Sequence, residues 1–325
     1  MATDVTKSRG TRSNRLTSLI PAALFLAGLA IHRLLPNQEP LSKAPAFTFV
    51  LAGAAVLLLV IIFLSLPLKK LGQAYSYRAR FISAVAVFLI LWDLVTQKFA
   101  LLPLPYFPGP DKVFLVFVSD WKMLLKSTLY SARLLLLGYA IGGGLGLVSG
   151  IFMGWSKRVN YWLGPILKII GPIPATAWIP IALVAFPTSF TASIFLIALA
   201  VWFPVAVMTS SGISNVQNAY FEVARTLGGG PRYLVLRVAV PAAAPSIFIG
   251  LFMGLGTSFL TLIAAEMLGV KAGLGWYINW AQGWAEFYKV YACLIVLALL
   301  FSGIIKLLFI VKDQLLSWQK GLIKW

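Results

Sequence analysis

The sequence predicts an all-α protein, a polytopic transmembrane bundle of about eight spans. Three observations predict it. Of the 325 residues, 60% are hydrophobic and only 11% charged, more apolar sequence than a soluble core of this length can use. Apolar runs long enough to cross a bilayer as helices recur along the whole chain. The basic residues, which leave a net charge of +18, stand in short clusters between those runs. That pattern orients a membrane protein and does not make a nucleic-acid footprint. A single cysteine, Cys293, excludes an internal disulfide and a cysteine-cluster metal site, and the lone His32, placed at a helix end, adds no metal ligand set.

Taken in order, residues 1–15 are polar and basic (Lys7, Arg9, Arg12, Arg15) and are expected to be disordered. Residues 16–35 fit either a span or a signal peptide, because Ala27, Gly28 and Ala30 supply small residues after a basic start. The run continues to Leu35, which favours a span. Seven more spans are read at 46–68, 81–102, 127–154, 161–186, 190–211, 242–268 and 290–311. Within 127–154, Gly142, Gly143, Gly144, Gly146, Gly150 and Gly154 form small-residue faces suited to close helix packing. Segment 103–120, rich in proline and aromatics, reads as ordered surface. Segment 271–288 carries Trp276, Tyr277, Trp280, Trp284, Phe287 and Tyr288, and Gly273-Leu274-Gly275 suggests a tight turn before a short amphipathic helix.

With the N-terminus placed in the cytoplasm, most of the 27 basic residues fall on the inner side. They include Lys69, Lys70, Arg78, Arg80, Lys157, Arg158, Arg225, Arg232, Arg237, Lys306, Lys312, Lys320 and Lys324. The outer side holds Arg33, Lys43, Lys98, Lys112, Lys122, Lys126, Lys271 and Lys289, and Arg133 and Lys168 lie within spans. The bias puts both termini inside, and with them the polar island 215–241.

That island has its own local logic. Asn218 is read as an N-cap. Tyr220, Val223, Ala224 and Leu227 recur at i, i+3, i+4 and i+7, giving a short helix one apolar face. Glu222 and Arg225 are spaced to pair weakly beside it. Gly228-Gly229-Gly230-Pro231 should end the helix, Gly228 taking the left-handed conformation. Pro231 opens a second short helix, and Pro241 is placed as the first residue of the next span.

Glu222, Ala224, Gly228, Val238 and Pro241 stand at the spacings of Glu-Ala-Ala, three residues, Gly, nine residues, an aliphatic, one residue, Leu-Pro. This resembles the cytoplasmic coupling loop of binding-protein-dependent ABC importer permeases, with Val223 and Val240 replacing the usual Ala and Leu. Gly171-Pro172-Ile173-Pro174 with Ala177-Trp178-Ile179-Pro180 is similar to the family's proline-rich span. Ala264-Ala265-Glu266-Met267-Leu268 before Gly273-Leu274-Gly275 is similar to its late-span signature. The combination resembles the nitrate, sulfonate, taurine and bicarbonate branch. The resemblance covers 81–325, leaving 1–80 as a basic tail plus two extra spans. It implies a type I importer fold and separate ATPase subunits that bind ATP and Mg and dock on Tyr220, Glu222, Val223, Ala224, Arg225, Leu227 and Gly228. It further implies a second permease copy, a periplasmic or lipid-anchored solute-binding protein, and a small anionic solute. Segment 271–288 then fits either an interfacial aromatic belt or a docking surface for that external protein.

No catalytic constellation stands in the sequence: it has no G-x-x-x-x-G-K-S/T phosphate loop, no H-E-x-x-H and no G-x-S-x-G. The chain is therefore expected to be a translocation subunit that binds no cofactor or metal. Pathway candidates come from the physics of lipid. Pro172, Pro174 and Pro180 interrupt a span, and freed backbone groups must face protein or a cavity. Pro174, Thr176 and Trp178 lie there. Thr257, Ser258 and Thr261 offer hydroxyl donors on one side of the seventh span. Their alternative use is hydrogen bonding within and between helices. Glu266 reads as structural or gating, since a carboxylate would repel an anion. Arg133 and Lys168 could attract one or reach an interface by snorkelling.

Overall fold

The computed structural model describes residues 3–38, 45–65 and 68–316, and every regular element among them is helical. Lys43, Lys320 and Lys324 lie outside the described residues. Two compact units divide the chain, Met1–Trp121 with Ala281–Ala292, and Lys122–Trp280 with Cys293–Trp325. The division at residue 80 follows the family resemblance; compactness divides the chain further on.

The first unit holds α1 (Thr3–Leu34), α2 (Ala46–Ser65), α3 (Lys69–Asp93) and α4 (Pro110–Ser119), with a π turn, Leu94–Lys98, extending α3. The basic segment expected to be disordered is helical from Thr3. Pro21 lies inside α1 without ending it, and no proline stands in the basic segment itself, where each added residue can gain a hydrogen bond. Phe25, Phe47, Leu51, Ala55, Leu58 and Ala86 form the unit's core. Its polar end is closed by side chains. His32 Nδ1 lies 3.0 Å from Asp93 Oδ2, both residues being buried. The Lys98 ammonium donates to the carbonyls of His32 and Leu35 and to Asn37 Oδ1, placing positive charge on the C-terminal carbonyls of α1. Asp111, fully buried, accepts from the Phe47 amide and so caps α2. The 281–292 segment is held by Lys289, which bridges Asp120 at 3.2 Å and Glu286 at 2.9 Å.

The second unit holds α5 (Trp121–Trp155), α6 (Lys157–Ile170), a 3-10 turn (Ala175–Trp178), α7 (Ile179–Ala185), α8 (Ser189–Ser214), α9 (Asn218–Thr226), α10 (Pro231–Tyr233), a π turn (Leu234–Ala239), α11 (Val240–Gly269) and most of α12 (Leu274–Gly283) and α13 (Phe287–Leu315), whose adjoining ends within 281–292 belong to the first unit. The centre is α8: 56% of its apolar stretch is buried, against 6% for α13. Glycines explain why. Gly138, Gly142, Gly146, Gly150 and Gly154 recur every fourth residue along one edge of α5, and each lies against α8. At Gly142 a Cβ would strike the backbone of Ala198. From the other side Gly250 and Gly254 of α11 bring that helix onto Val201 and Pro204. The packing role read for the fourth-span glycines is met at Gly142, Gly146, Gly150 and Gly154, with α8 as the helix they receive, and not at Gly144, which faces open space.

Among the described residues, six helices are long and apolar enough to cross a membrane, or seven if the bent pair Lys157–Ile170 and Ala175–Ala185 is one span, against the eight spans read from the sequence. The apolar part of α1, Ser18–Leu34, is shorter than these. One boundary moves. The helix opened by Pro231 does not stop before Pro241; it runs on to Gly269 through the π turn. Proline cannot donate to the carbonyl four residues back, Arg237, and the wider turn accommodates that missing bond.

Candidate functional site

Helix α9 and its exit are built as the spacing predicts, with two corrections. Gln217, not Asn218, occupies the N-cap, and its side chain makes no capping bond. The C-terminus closes as a Schellman motif: the Gly229 amide donates to Ala224 O at 2.8 Å and the Gly228 amide to Arg225 O at 2.9 Å. Gly228 takes φ +81°, the left-handed region that favours glycine. The second correction concerns Ala224, read with the docking residues but buried against the bundle, which leaves Tyr220, Val223 and Leu227 as the free part of the apolar face. Tyr220, Val223 and Leu227 are 53%, 60% and 83% exposed, so that face looks away from the bundle. What holds α9 down is Phe221, packed with Ile213, Ala239, Ala243 and Ile247 and edge-on to Trp155 at 5.7 Å, together with the buried Ala224. Phe221 stands three residues before Ala224, so the pair was legible as a second apolar stripe. Glu222 and Arg225 are both exposed, and no ion pair joins them among the described residues.

The proline-rich span is broken, as its three prolines require. Between α6 and the segment Ala175–Ala185 the chain bends by 86°. Depth can be read from α8. Gly171 sits under the ring of Phe203, near the middle of α8, and leaves no room there for a Cβ. The break therefore falls halfway along the bundle. Pro172, Ile173 and Pro174 are exposed at that level, Thr176 is half-buried, and Trp178 packs beside Ile179, Ala182, Ala264 and Ala265. The Trp178 indole Nε1 is buried without a partner among the described residues.

The hydroxyls of α11 are already engaged. Ser258, fully buried, donates to Leu255 O at 2.6 Å, and Thr261 donates to Thr257 O at 3.0 Å, both back into their own helix. Thr257 is exposed, and its hydroxyl is shared between Ala200 O on α8 at 2.9 Å and Gly254 O in its own helix at 3.0 Å. Ala200 is the residue whose carbonyl Pro204 cannot satisfy, so Thr257 repairs a gap in the α8 ladder.

Glu266 is fully buried at the far end of α11 from α9. Its carboxylate accepts from Ser131 Oγ at 2.7 Å and from the Gly275 amide at 2.8 Å, while Ser131 Oγ accepts from the Leu274 amide. Gly273, at φ +126°, lets the turn close on the carboxylate, where a Cβ would collide with it. Glu266 thereby ties α5, α11 and the start of α12 together. Ser131 carries no sequence signal for this role, being one small polar residue in an apolar run. Arg133 is exposed, with its guanidinium 5.2 Å from the Phe190 ring centre.

The profile of the binding-protein-dependent transport system inner membrane component family matches residues 142–319, more than half of the chain. The chain belongs to this family. The permease is 31% identical to the putative aliphatic sulfonates transport permease protein SsuC of Bacillus subtilis, over 73% of this chain and 86% of the relative. It is 30% identical to the bicarbonate transport system permease protein CmpB of Synechococcus elongatus, over 77% of this chain and 91% of the relative. A crystal structure of an amino acid ABC transporter superposes with a TM-score of 0.52 at 20% identity, covering 62% of the permease and 97% of that chain; this supports the fold. The permease is thus a multi-pass membrane protein and the transmembrane subunit of a binding-protein-dependent ABC importer. The matched segment contains α9, the break and Glu266, and leaves the first unit's α1 to α4 outside it.

Proposed function

We propose that the permease passes a small oxyanion inward, powered by separate ATPase subunits that bind ATP and Mg and grip α9. The observation that carries this is the exposed apolar face of Tyr220, Val223 and Leu227, held rigid from behind by Phe221 and Ala224. Three bulky apolar side chains do not stay in water on a nine-residue helix without a partner to cover them. Glu222 and Arg225 flank that face, and Gly228 sets the angle at which the helix leaves. In this reading α9 and both termini lie in the cytoplasm, as the basic-residue bias favours. A second copy completes the pathway, lipid covers the exposed apolar side chains of α13, and an external solute-binding protein delivers the cargo. The pathway runs past the break at Pro174, Thr176 and Trp178 and along the Thr257 side of α11. The anion class rests on the sulfonate and bicarbonate relatives.

The test is to replace Val223 and Leu227 with aspartate and purify the permease with its ATPase. Burying either carboxylate at a docking face costs several kcal/mol, so ATPase retention and uptake should both fall at least about tenfold. The permease itself should keep its thermal midpoint, because neither side chain is buried in it. Normal ATPase retention by both variants would refute the docking face.

A further inference from the structure

Helix α6 has three edges where two would suffice. One is buried: Gly164 and Leu167 pack with Met153 and Ala206. A second is apolar and exposed, with Trp162 and Ile169 both 69% exposed, and suits lipid or a second copy. Lys157, Tyr161 and Lys168 stand at i, i+4 and i+11 and form the third, a polar edge leading to the break. All three are exposed.

Lys168 is the unusual member. Leu167 packs on Ala206 and Gly171 lies under Phe203, so Lys168 sits close to the mid-depth of α8. It is about 16 Å along the helix from Lys157, farther than a lysine side chain reaches, so snorkelling to the α9 end does not explain it. No carboxylate pairs with it among the described residues. A bare ammonium at such depth is expensive in lipid, and the cost falls away if the edge is wetted. Its place in the last turn of α6 also sets positive charge against that helix's unpaired carbonyls, which would otherwise repel an anion arriving at the break.

We propose that Lys168 is the specificity-determining contact for the anion at the break, at the end of a water-lined edge formed with Lys157 and Tyr161. This rests on the reading of the break as the pathway and of the cargo as an oxyanion. The experiment reconstitutes the full complex with its ATPase and binding protein and measures uptake of bicarbonate, nitrate and ethanesulfonate. Lys168→Gln should raise KM for the transported anion by about tenfold, and Lys168→Arg should restore it to within about threefold. Complex yield and basal ATPase rate should not change. In a Cys293→Ser background, Lys168→Cys should react with a charged, water-soluble thiol reagent, and Ile169→Cys, on the apolar edge, should not. Wild-type KM in Lys168→Gln, or an unreactive Lys168→Cys, would overturn the role of Lys168 while leaving the proposed function standing. Failure of the wild type to take up any of the three anions would overturn both.

Discussion

Two neighbouring parts of the second unit use helix-weakening residues to opposite ends. Along the α5–α8 contact, glycines recur every fourth residue and remove side chains so that two backbones can touch. Between α6 and α7, prolines remove backbone donors so that one helix cannot continue. The first region is dry and leaves no space at Gly142 for a single methyl group. In the second, backbone is exposed at Pro172, Ile173 and Pro174 halfway along the bundle. Along α5 the helical ladder stays intact, although the hydroxyl of Thr209, packed against Gly150, is buried without a partner among the described residues, whereas an interrupted ladder in lipid needs water or protein beside it. The pairing sets a closely packed strut next to a helix that is broken at mid-depth.

The strongest way to break that contrast is at Gly142. In Gly142→Ala the new Cβ meets the Ala198 backbone, which cannot turn aside as a side chain would. Overpacking of that kind costs about 1–3 kcal/mol, and the upper end is expected here. A substantially lowered midpoint of thermal unfolding and reduced yield of the assembled complex should follow. Gly144, two residues on, has open space on its side-chain face, with nothing within 4 Å of the point a methyl carbon would occupy. Gly144→Ala should therefore be neutral or gain about 0.5–1 kcal/mol from helix propensity. Equal behaviour of the two variants would remove the close contact as the reason for the glycines.

At the break the expected loss moves from stability to transport. Replacing both Pro172 and Pro174 with alanine returns two backbone donors and lets the helix attempt to close across 171–174. The midpoint of unfolding should change by no more than about 1 kcal/mol, because neither proline is buried. Uptake should fall by about tenfold, as the exposed backbone is withdrawn from the pathway. A double variant that transports normally would make the break a packing kink and erase the contrast.

Much of this architecture was legible because it depends on local chemistry. The spans follow from apolar length, the α9 exit from Gly228 and Pro231, and the interruption from Pro172, Pro174 and Pro180. What escaped was pairing at long range. Ser131 reaches Glu266 across 135 residues of sequence, and His32 meets Asp93 across 61, and nothing in either local pattern announces a partner. The apolar stripe of α9 was identified as a docking face, but the inward turn of Ala224 within it was not. Periodicity locates a face, and only tertiary packing says whether that face turns inward. Phe221, outside the stripe, decides it.

The smallest expected effects separate Thr257, Ser258 and Thr261, three of the hydroxyls of α11, which lie close together on the helix yet belong to different jobs. Ser258 and Thr261 donate to Leu255 O and Thr257 O in their own helix, carbonyls that lie within an intact helical ladder. Removing either hydroxyl as Ser258→Ala or Thr261→Val should cost about 0.5 kcal/mol and leave uptake unchanged. Thr257 also reaches Gly254 O in its own helix, but its shorter contact crosses to Ala200 O, which lacks its helical donor because Pro204 stands four residues on. Thr257→Val leaves that carbonyl unpaired inside the bundle, at about 1–2 kcal/mol. Thr257→Ser keeps the donor and should recover most of it. Measured as unfolding midpoints on one preparation, this ordering would place Thr257 with the α5–α8 strut as a repair of the central helix. The reverse ordering, or a transport defect in Ser258→Ala at full stability, would instead draw Ser258 and Thr261 into the pathway.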